Sequence, residues 1–113
     1  MTEPNSRSNK PIPVLRAIRK LGQDIRDARI RRRLPVALVA ERAGISRITL
    51  SRLEKGETGV SIGILGSVLL ALNLLDKLQD LADTQNDFLG RMLEEERLPK
   101  RIRKKRQRSK DRE

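Results

Sequence analysis

The segment ISRITLSR, residues 45–52, combines hydrogen-bonding side chains with one branched apolar side chain. An arginine can donate two parallel hydrogen bonds to guanine O6 and N7, serine and threonine can bond to several base edges, and an apolar side chain can contact a thymine methyl group. The chain carries 26 Lys plus Arg against 15 Asp plus Glu, a net charge of +11. Such a charge attracts polyanions, so the chemistry indicated is recognition of nucleic acid.

The composition argues against several other functions. The chain has no Cys and no His, which removes thiol nucleophiles, the usual zinc ligands and imidazole acid–base chemistry. We therefore predict no catalytic residues, no metal and no cofactor, and we expect that the protein is not an enzyme. Phe88 is the single aromatic residue, which disfavours binding by stacking of single-stranded bases. No apolar run approaches the length of a membrane span, and we expect a cytoplasmic protein that does not bind a membrane.

A helical projection of residues 46–55 places Ile48 opposite the leucines. At about 100° per residue, Leu50 and Leu53 define one side, and Ile48 points away from it. Ser51 and Arg52 flank Ile48. A single exposed apolar residue is common, so a solvated face with one stray isoleucine is the alternative to a face that enters the major groove.

The elements that must position this face are predicted to be helices. They are expected from about Val14 to Arg33, Pro35 to Ala43, Ser46 to Lys55, Ser61 to Leu72, and through Leu74 to Leu81. Pro35 suits a first helical turn, Ser46 suits an N-cap, and Gly44 suits a helix stop. We predict a disordered arm at 1–13, a helix-turn-helix domain at 14–83, and a short helix with a basic tail at 84–113. For residues 83–113 we consider three alternatives: disorder, docking of the acidic part on a basic partner surface, and sequence-independent DNA contacts by the basic tail.

The order of these helices resembles that of the Cro/repressor (XRE) helix-turn-helix family. The resemblance covers roughly residues 21–81 and rests on LGQDIRDAR, VAERAGIS, TLSRLEKG and ILGSVLLALNL. It implies an all-α fold: a five-helix, lambda-repressor-like helix-turn-helix domain with flexible basic N- and C-terminal tails. The third helix would then lie in the major groove.

By position, the resemblance implies roles for individual residues. Base-edge contacts fall to Arg47, Ile48, Thr49, Ser51 and Arg52, and backbone contacts to Ser46, Lys55 and the N–H groups around Gly56. It also implies an ion pair between Arg29 and Glu54, linking the first helix to the third. The alternative for Arg29 is one more solvated arginine.

One departure from the family concerns the second helix. Many members carry Ser or Thr followed by Gln where this chain has Pro35 and Val36, and that Gln often contacts DNA. Val36 cannot donate a side-chain hydrogen bond. Phosphate contacts by Arg31, Arg32 and Arg33 are one substitute, and simple solubilisation of the helix end is the alternative.

A narrower resemblance involves GVSIGILGSVLLALNLLDKLQDLAD and RLPKRIRKK. These segments are similar to those of HipB-type antitoxins, which are encoded beside HipA-type kinases. The resemblance implies a homodimer that represses its own inverted-repeat operator and binds the kinase toxin. A stand-alone regulator of the phage type, without a toxin, is the alternative.

The leucines of the fourth and fifth helices exceed what one face of a small domain can bury. We hypothesise that they form the dimer contact, and core packing alone is the alternative. The candidates are Leu69, Leu72, Leu74, Leu75 and Leu78, with Leu70 in the same run.

Overall fold

The computed structural model describes residues 9–97, and their regular elements are helical. These are α1 (Ile12–Arg31), α2 (Val36–Ala43), α3 (Arg47–Glu54), α4 (Ile62–Ala71), α5 (Leu75–Gln79), a 3₁₀ turn (Thr84–Asn86) and α6 (Phe88–Arg97). No strand occurs within residues 9–97, so the prediction of an all-α fold with a helix-turn-helix is confirmed. The predictions for the arm at 1–8 and for the basic tail at 98–113 lie outside the described residues.

Helix α1 begins two residues before the expected Val14. Pro11 is its N-cap, and Pro13 occupies the first turn, where a missing N–H costs no hydrogen bond. The last residues of the predicted arm are therefore helical. At the other end, α1 stops at Arg31 because the chain turns through Arg33, whose φ is 55°.

The core is built by all four of the helices α1 to α4. Helix α2 packs against α4, and α1 packs against α3. The buried hydrophobic residues are Ile25, Ala28, Val39, Ala40, Leu50, Leu53, Val68, Leu69 and Leu72. Burial of one leucine or valine side chain contributes about 1.5 to 3 kcal/mol, so these residues supply most of the stabilisation that so small a domain can obtain.

Burial corrects part of the dimer hypothesis. Leu69 is 7% exposed and Leu72 is 1% exposed, because both pack inside the core of a single chain. Their side chains cannot form a contact with a second copy. Leu74 and Leu78 are half-buried against the same core, whereas Leu70 is 64% exposed. Leucines that face the core and leucines that face a partner chain have the same spacing in the sequence, so the sequence did not distinguish Leu69 and Leu72 from Leu70.

The chain divides into one unit that ends at Leu78 and another that begins at Gln79. In the second unit, the 3₁₀ turn packs against α6. Asp83 Oδ1 accepts a hydrogen bond from the Gln85 N–H at 2.9 Å, and Asp87 Oδ1 accepts one from the Gly90 N–H at 3.1 Å. These two carboxylates define the starts of the turn and of α6. Among residues 9–97, no helix is both long and apolar enough to cross a membrane.

Candidate nucleic-acid interface

The turn between α2 and α3 is set by Gly44. Its φ of 70° is left-handed, and its N–H donates to the Glu41 carbonyl at 3.1 Å, while the Ile45 N–H donates to the Ala40 carbonyl at 3.0 Å. No atom lies within 4 Å of a Cβ built on Gly44. Backbone conformation rather than space therefore favours glycine here, and only three residues separate α2 from α3.

The first turn of α3 is fixed by Ser46. Its Oγ accepts a hydrogen bond from the Thr49 N–H at 3.0 Å, and its hydroxyl donates to Thr49 Oγ1 at 2.9 Å. An N-cap of this kind satisfies one backbone donor that the helix itself cannot pair. The Thr49 hydroxyl accepts in this arrangement, so its own hydrogen is free to be donated outward.

The remaining side chains of α3 separate into two faces. Leu50 is fully buried and Leu53 is 6% exposed, whereas Ile48 is 73% exposed. This is the orientation that the helical projection predicts. Arg47 and Lys55 are exposed with Ile48, and Ser51 and Thr49 are half-buried at the margins. We call the surface formed by Arg47, Ile48, Ser51, Arg52 and Lys55 the reading face.

Arg52 has a partner that the sequence reasoning missed. Its Nε donates to Glu57 Oε1 at 2.8 Å, and the two side chains are 44% and 33% exposed. That hydrogen bond uses one of the five guanidinium N–H groups, so the others can still reach a base. The pair joins a helix residue to the loop that follows, and a five-residue spacing of this kind is outside the i,i+4 rule for helices.

Arg29 and Glu54 are brought together behind the reading face. Arg29 Nε lies 2.7 Å from Glu54 Oε2, and Nη2 lies 3.1 Å from Oε1, with both residues 9% exposed. Arg29 Nη1 also donates to the Leu34 carbonyl at 3.1 Å. The hydrogen bond to Glu54 raises the pKa of Arg29 above its usual value, against the opposing effect of burial. One guanidinium thus ties α1, the loop after it and the end of α3.

Two glycines allow α1 to approach the end of α3. A Cβ on Gly22 would lie 2.5 Å from the Leu53 carbonyl oxygen, and a Cβ on Gly56 would lie 2.6 Å from the Arg19 Cα atom. Gly56 also has a φ of 80°. In the sequence, Gly22 falls at helical spacing with Ile18 and Ile25, and this periodicity alone does not show the contact with α3. A glycine within a stripe of larger apolar residues is the signal that could have indicated it.

The three arginines at the end of α1 are exposed. Arg32 Nη1 donates to the Ala28 carbonyl at 3.0 Å, so this side chain caps the helix in addition to any other use. Val36, where many XRE members have glutamine, is half-buried against the core. Its side chain therefore serves packing. Within residues 9–97, no group of three acidic residues is arranged to hold a metal ion.

Comparison with known proteins agrees with this geometry. The family model for a helix-turn-helix domain matches residues 20–82, which is more than half of the 113 residues and includes α2, α3, α4 and α5. No curated protein and no solved structure matches the chain.

Proposed function

The chain belongs to the helix-turn-helix domain family, and from this premise we propose that it is a sequence-specific repressor of transcription. The family supports a DNA-binding regulator, and members are typically not enzymes. In the proposed complex, α3 lies in the major groove with its reading face against the base edges.

The observation that carries the proposal is the exposure of Ile48 beside Arg47 on a helix whose other side is fully packed. Ile48 is 73% exposed, so its side chain contributes little hydrophobic free energy to folding. In the major groove the same side chain can contact a thymine methyl group. Arg47 is exposed beside it and can pair with guanine O6 and N7. We expect the bound site to contain a thymine and a guanine within reach of these two side chains.

The test is selection of duplexes from a random pool with the full chain, followed by Arg47→Ala and Arg52→Ala. Each variant should lose about 1 to 3 kcal/mol of binding free energy and accept other bases at one position of the selected site. Lys77→Ala removes an exposed charge from α5 and is the matched control. The proposal fails if the wild-type protein selects no preferred sequence, or if Arg47→Ala selects the same one.

The selected duplex can also be used to examine the arginines after α1. If Arg31, Arg32 and Arg33 bind phosphates, replacement by Gln should reduce the slope of log affinity against log salt by about 0.9 for each phosphate that is no longer neutralised. An unchanged slope would leave them a solubilising role. Truncation after Leu98 applies the same measurement to the basic tail.

We also propose that the protein is a dimer on an inverted-repeat operator. Two reading helices about 34 Å apart would then enter successive major grooves. A small core and the exposure of Ile62 and Leu70, at 73% and 64%, support a partner surface on α4, with Leu74, Leu75 and Leu78 as further candidates. Sedimentation should detect a dimer at micromolar concentration, and a stable monomer would reject this part of the proposal.

The proposed biological role is that of a HipB-type antitoxin that binds a HipA-type kinase. It rests on the resemblance of residues 59–83 and 97–105 to such antitoxins. A stand-alone phage-type regulator is the second candidate, because the helix-turn-helix match applies equally to it. A kinase reading frame beside this gene, and co-purification of its product with this chain, would support the antitoxin role. A neighbouring region without a kinase would favour the stand-alone regulator.

A further inference from the structure

A second basic surface adjoins the reading face. One side of α1 and the end of α3 line an open cleft of about 650 Å³. The lining residues are Arg16, Arg19, Lys20, Gln23, Asp24 and Arg26 of α1, together with Ser51, Glu54 and Lys55. We call it the basic cleft. Ser51 and Lys55 belong to both surfaces, so the cleft continues the reading face toward α1.

The position of the cleft is fixed by backbone packing. The Arg19 Cα atom lies so close to Gly56 that a Cβ on Gly56 would be 2.6 Å from it. Gly22 packs α1 against the Leu53 and Glu54 carbonyls one turn further along. Because both approaches involve backbone atoms, the arginines of α1 are held at a defined place beside α3.

The charges of the cleft are not balanced within the described chain. Its two carboxylates already have partners, since Asp24 pairs with Lys20 at 2.6 Å and Glu54 pairs with Arg29 at 2.7 Å. Within residues 9–97, no hydrogen bond or ion pair involves the side chains of Arg16, Arg19, Arg26 or Lys55. Four cations therefore converge on one open surface without an anion, and such an arrangement attracts an external one.

The shape of the cleft indicates which anion it fits. The stripe from Arg16 to Arg26 spans ten residues, or about 15 Å of helix. A major groove about 12 Å wide admits one helix of about 10 to 12 Å diameter, so with α3 in the groove the adjoining stripe of α1 meets the phosphates at its edge. The cleft contains no aromatic side chain on which a free base could stack. Phosphates of an intact duplex suit it better than a nucleotide or a single strand.

We propose that the basic cleft binds the phosphate backbone of the duplex at the edge of the groove that α3 reads. The proposal rests on the proposed function and adds a contact to it. Arg16 and Arg19 precede residue 20, where the family match begins, so the first two turns of α1 extend the DNA contact beyond the matched domain. These contacts are independent of sequence and set the orientation of α3.

The test compares the full chain with Arg16→Gln/Arg19→Gln, using binding to a random-sequence duplex at 50 to 200 mM salt. With two fewer phosphates neutralised, the salt slope falls by about 1.8, so the ratio of wild-type to variant affinity should fall about tenfold across this range. Lys77→Gln/Arg91→Gln removes the same charge from α5 and α6 and is the control, with the wild-type slope expected.

An unchanged slope for Arg16→Gln/Arg19→Gln overturns the proposal. The same holds if this double variant and the control lower the slope equally, because net charge would then explain the effect. In a third contrary outcome, the double variant is less stable than the wild type but keeps the wild-type salt slope. The two arginines would then stabilise the C-terminal end of α3 and would not bind phosphates. If the double variant does not fold, Arg16→Gln alone should reduce the slope by about 0.9.

A second measurement separates this proposal from the proposed function. The duplex selected by the wild-type chain is compared with the random duplex for each variant. Arg16→Gln/Arg19→Gln should keep the preference for the selected duplex, while Arg47→Ala should lose it. If neither variant loses the preference for the selected duplex, while the salt slope of the double variant falls as expected, only the proposal for the reading face is contradicted. If only Arg47→Ala loses that preference, and the salt slope of the double variant is unchanged, only the proposal for the basic cleft is contradicted.

Discussion

The two faces of α3 differ in what holds their side chains. Behind the helix, Leu50 and Leu53 are packed in the core and Glu54 is bound by Arg29. On the reading face, Ile48 is 73% exposed, and within residues 9–97 the Arg47 side chain makes no hydrogen bond or ion pair. The contrast predicts that substitutions behind the helix alter folding, while substitutions in front leave folding intact and, under the proposed function, alter recognition.

The separation is possible because α3 is fastened at both ends. A helix of eight residues is too short to be stable alone in water. Ser46 fixes its first turn and the Arg29–Glu54 pair fixes its last. The reading face can therefore carry exposed residues such as Arg47 and Ile48 that contribute little to stability, since the helix does not depend on them.

The largest expected effect is that of Glu54→Ala. Removing one partner leaves the Arg29 charge buried without compensation, which costs about 3 to 5 kcal/mol. We expect a loss of this size in the free energy of unfolding measured with urea. Arg29→Met/Glu54→Leu should recover much of it, because it removes both charges together. An unchanged unfolding midpoint for Glu54→Ala would show that the pair does not hold α3.

Gly22→Ala should cause the next largest loss of stability. The new Cβ would lie 2.5 Å from the Leu53 carbonyl oxygen, so α1 and α3 must separate at a cost of about 1 to 3 kcal/mol. Thermal and urea unfolding measure this loss. Gly63→Ala in α4 is the matched control. Its Cβ would meet only Ser61 Oγ at 3.8 Å, and alanine should stabilise that helix by about 0.5 to 1 kcal/mol. Equal effects of the two substitutions would contradict the close approach.

Ser46→Ala should cause a smaller loss of stability. It removes the N-cap of α3 and so affects the first turn of the helix, where Arg47 of the reading face lies. We expect a loss of about 1 kcal/mol in stability, measured by urea unfolding, because the Thr49 N–H loses its acceptor. Ser46→Asn keeps an N-cap acceptor and should retain the wild-type stability. A loss in both variants would mean that the serine acts through something other than capping.

Ile48→Ala should have the smallest effect on folding of these substitutions, because its side chain lies outside the core. With the side chain 73% exposed, the free energy of unfolding should stay within about 0.5 kcal/mol of wild type. Leu50→Ala, two residues away and fully buried, should cost about 2 to 5 kcal/mol. The same urea unfolding curves measure both. A large loss for Ile48→Ala would mean that the reading face is also part of the core.

Periodicity was sufficient to predict which side of α3 is buried, because the spacing of Leu50 and Leu53 leaves only one direction for Ile48. Ser46 and Gly44 were predicted from local backbone chemistry. The pairing of Arg29 with Glu54 was predicted from the family resemblance. These features depend on short sequence distances or on a known arrangement.

What the sequence did not predict depends on how separate helices meet. Leu69 and Leu72 were assigned to a dimer contact because leucines facing a core and leucines facing a partner have the same spacing. The approach of Arg19 to Gly56 joins residues 37 positions apart, and no local pattern encodes it. The basic cleft forms only because of that approach. In the sequence its arginines can be seen only as charged residues of the first helix, with no sign that they lie beside α3.

The turn at Arg33 has a consequence for heat resistance. A residue with a side chain at a φ of 55° costs about 1 to 2 kcal/mol relative to the ordinary helical region, and glycine avoids this cost. Arg33→Gly should therefore raise the melting temperature by several degrees, less the effect of a more flexible unfolded chain. A higher melting temperature would show that the tolerance of the domain for warmer conditions can be increased outside both the core and the reading face, at one of the three arginines proposed to bind phosphates.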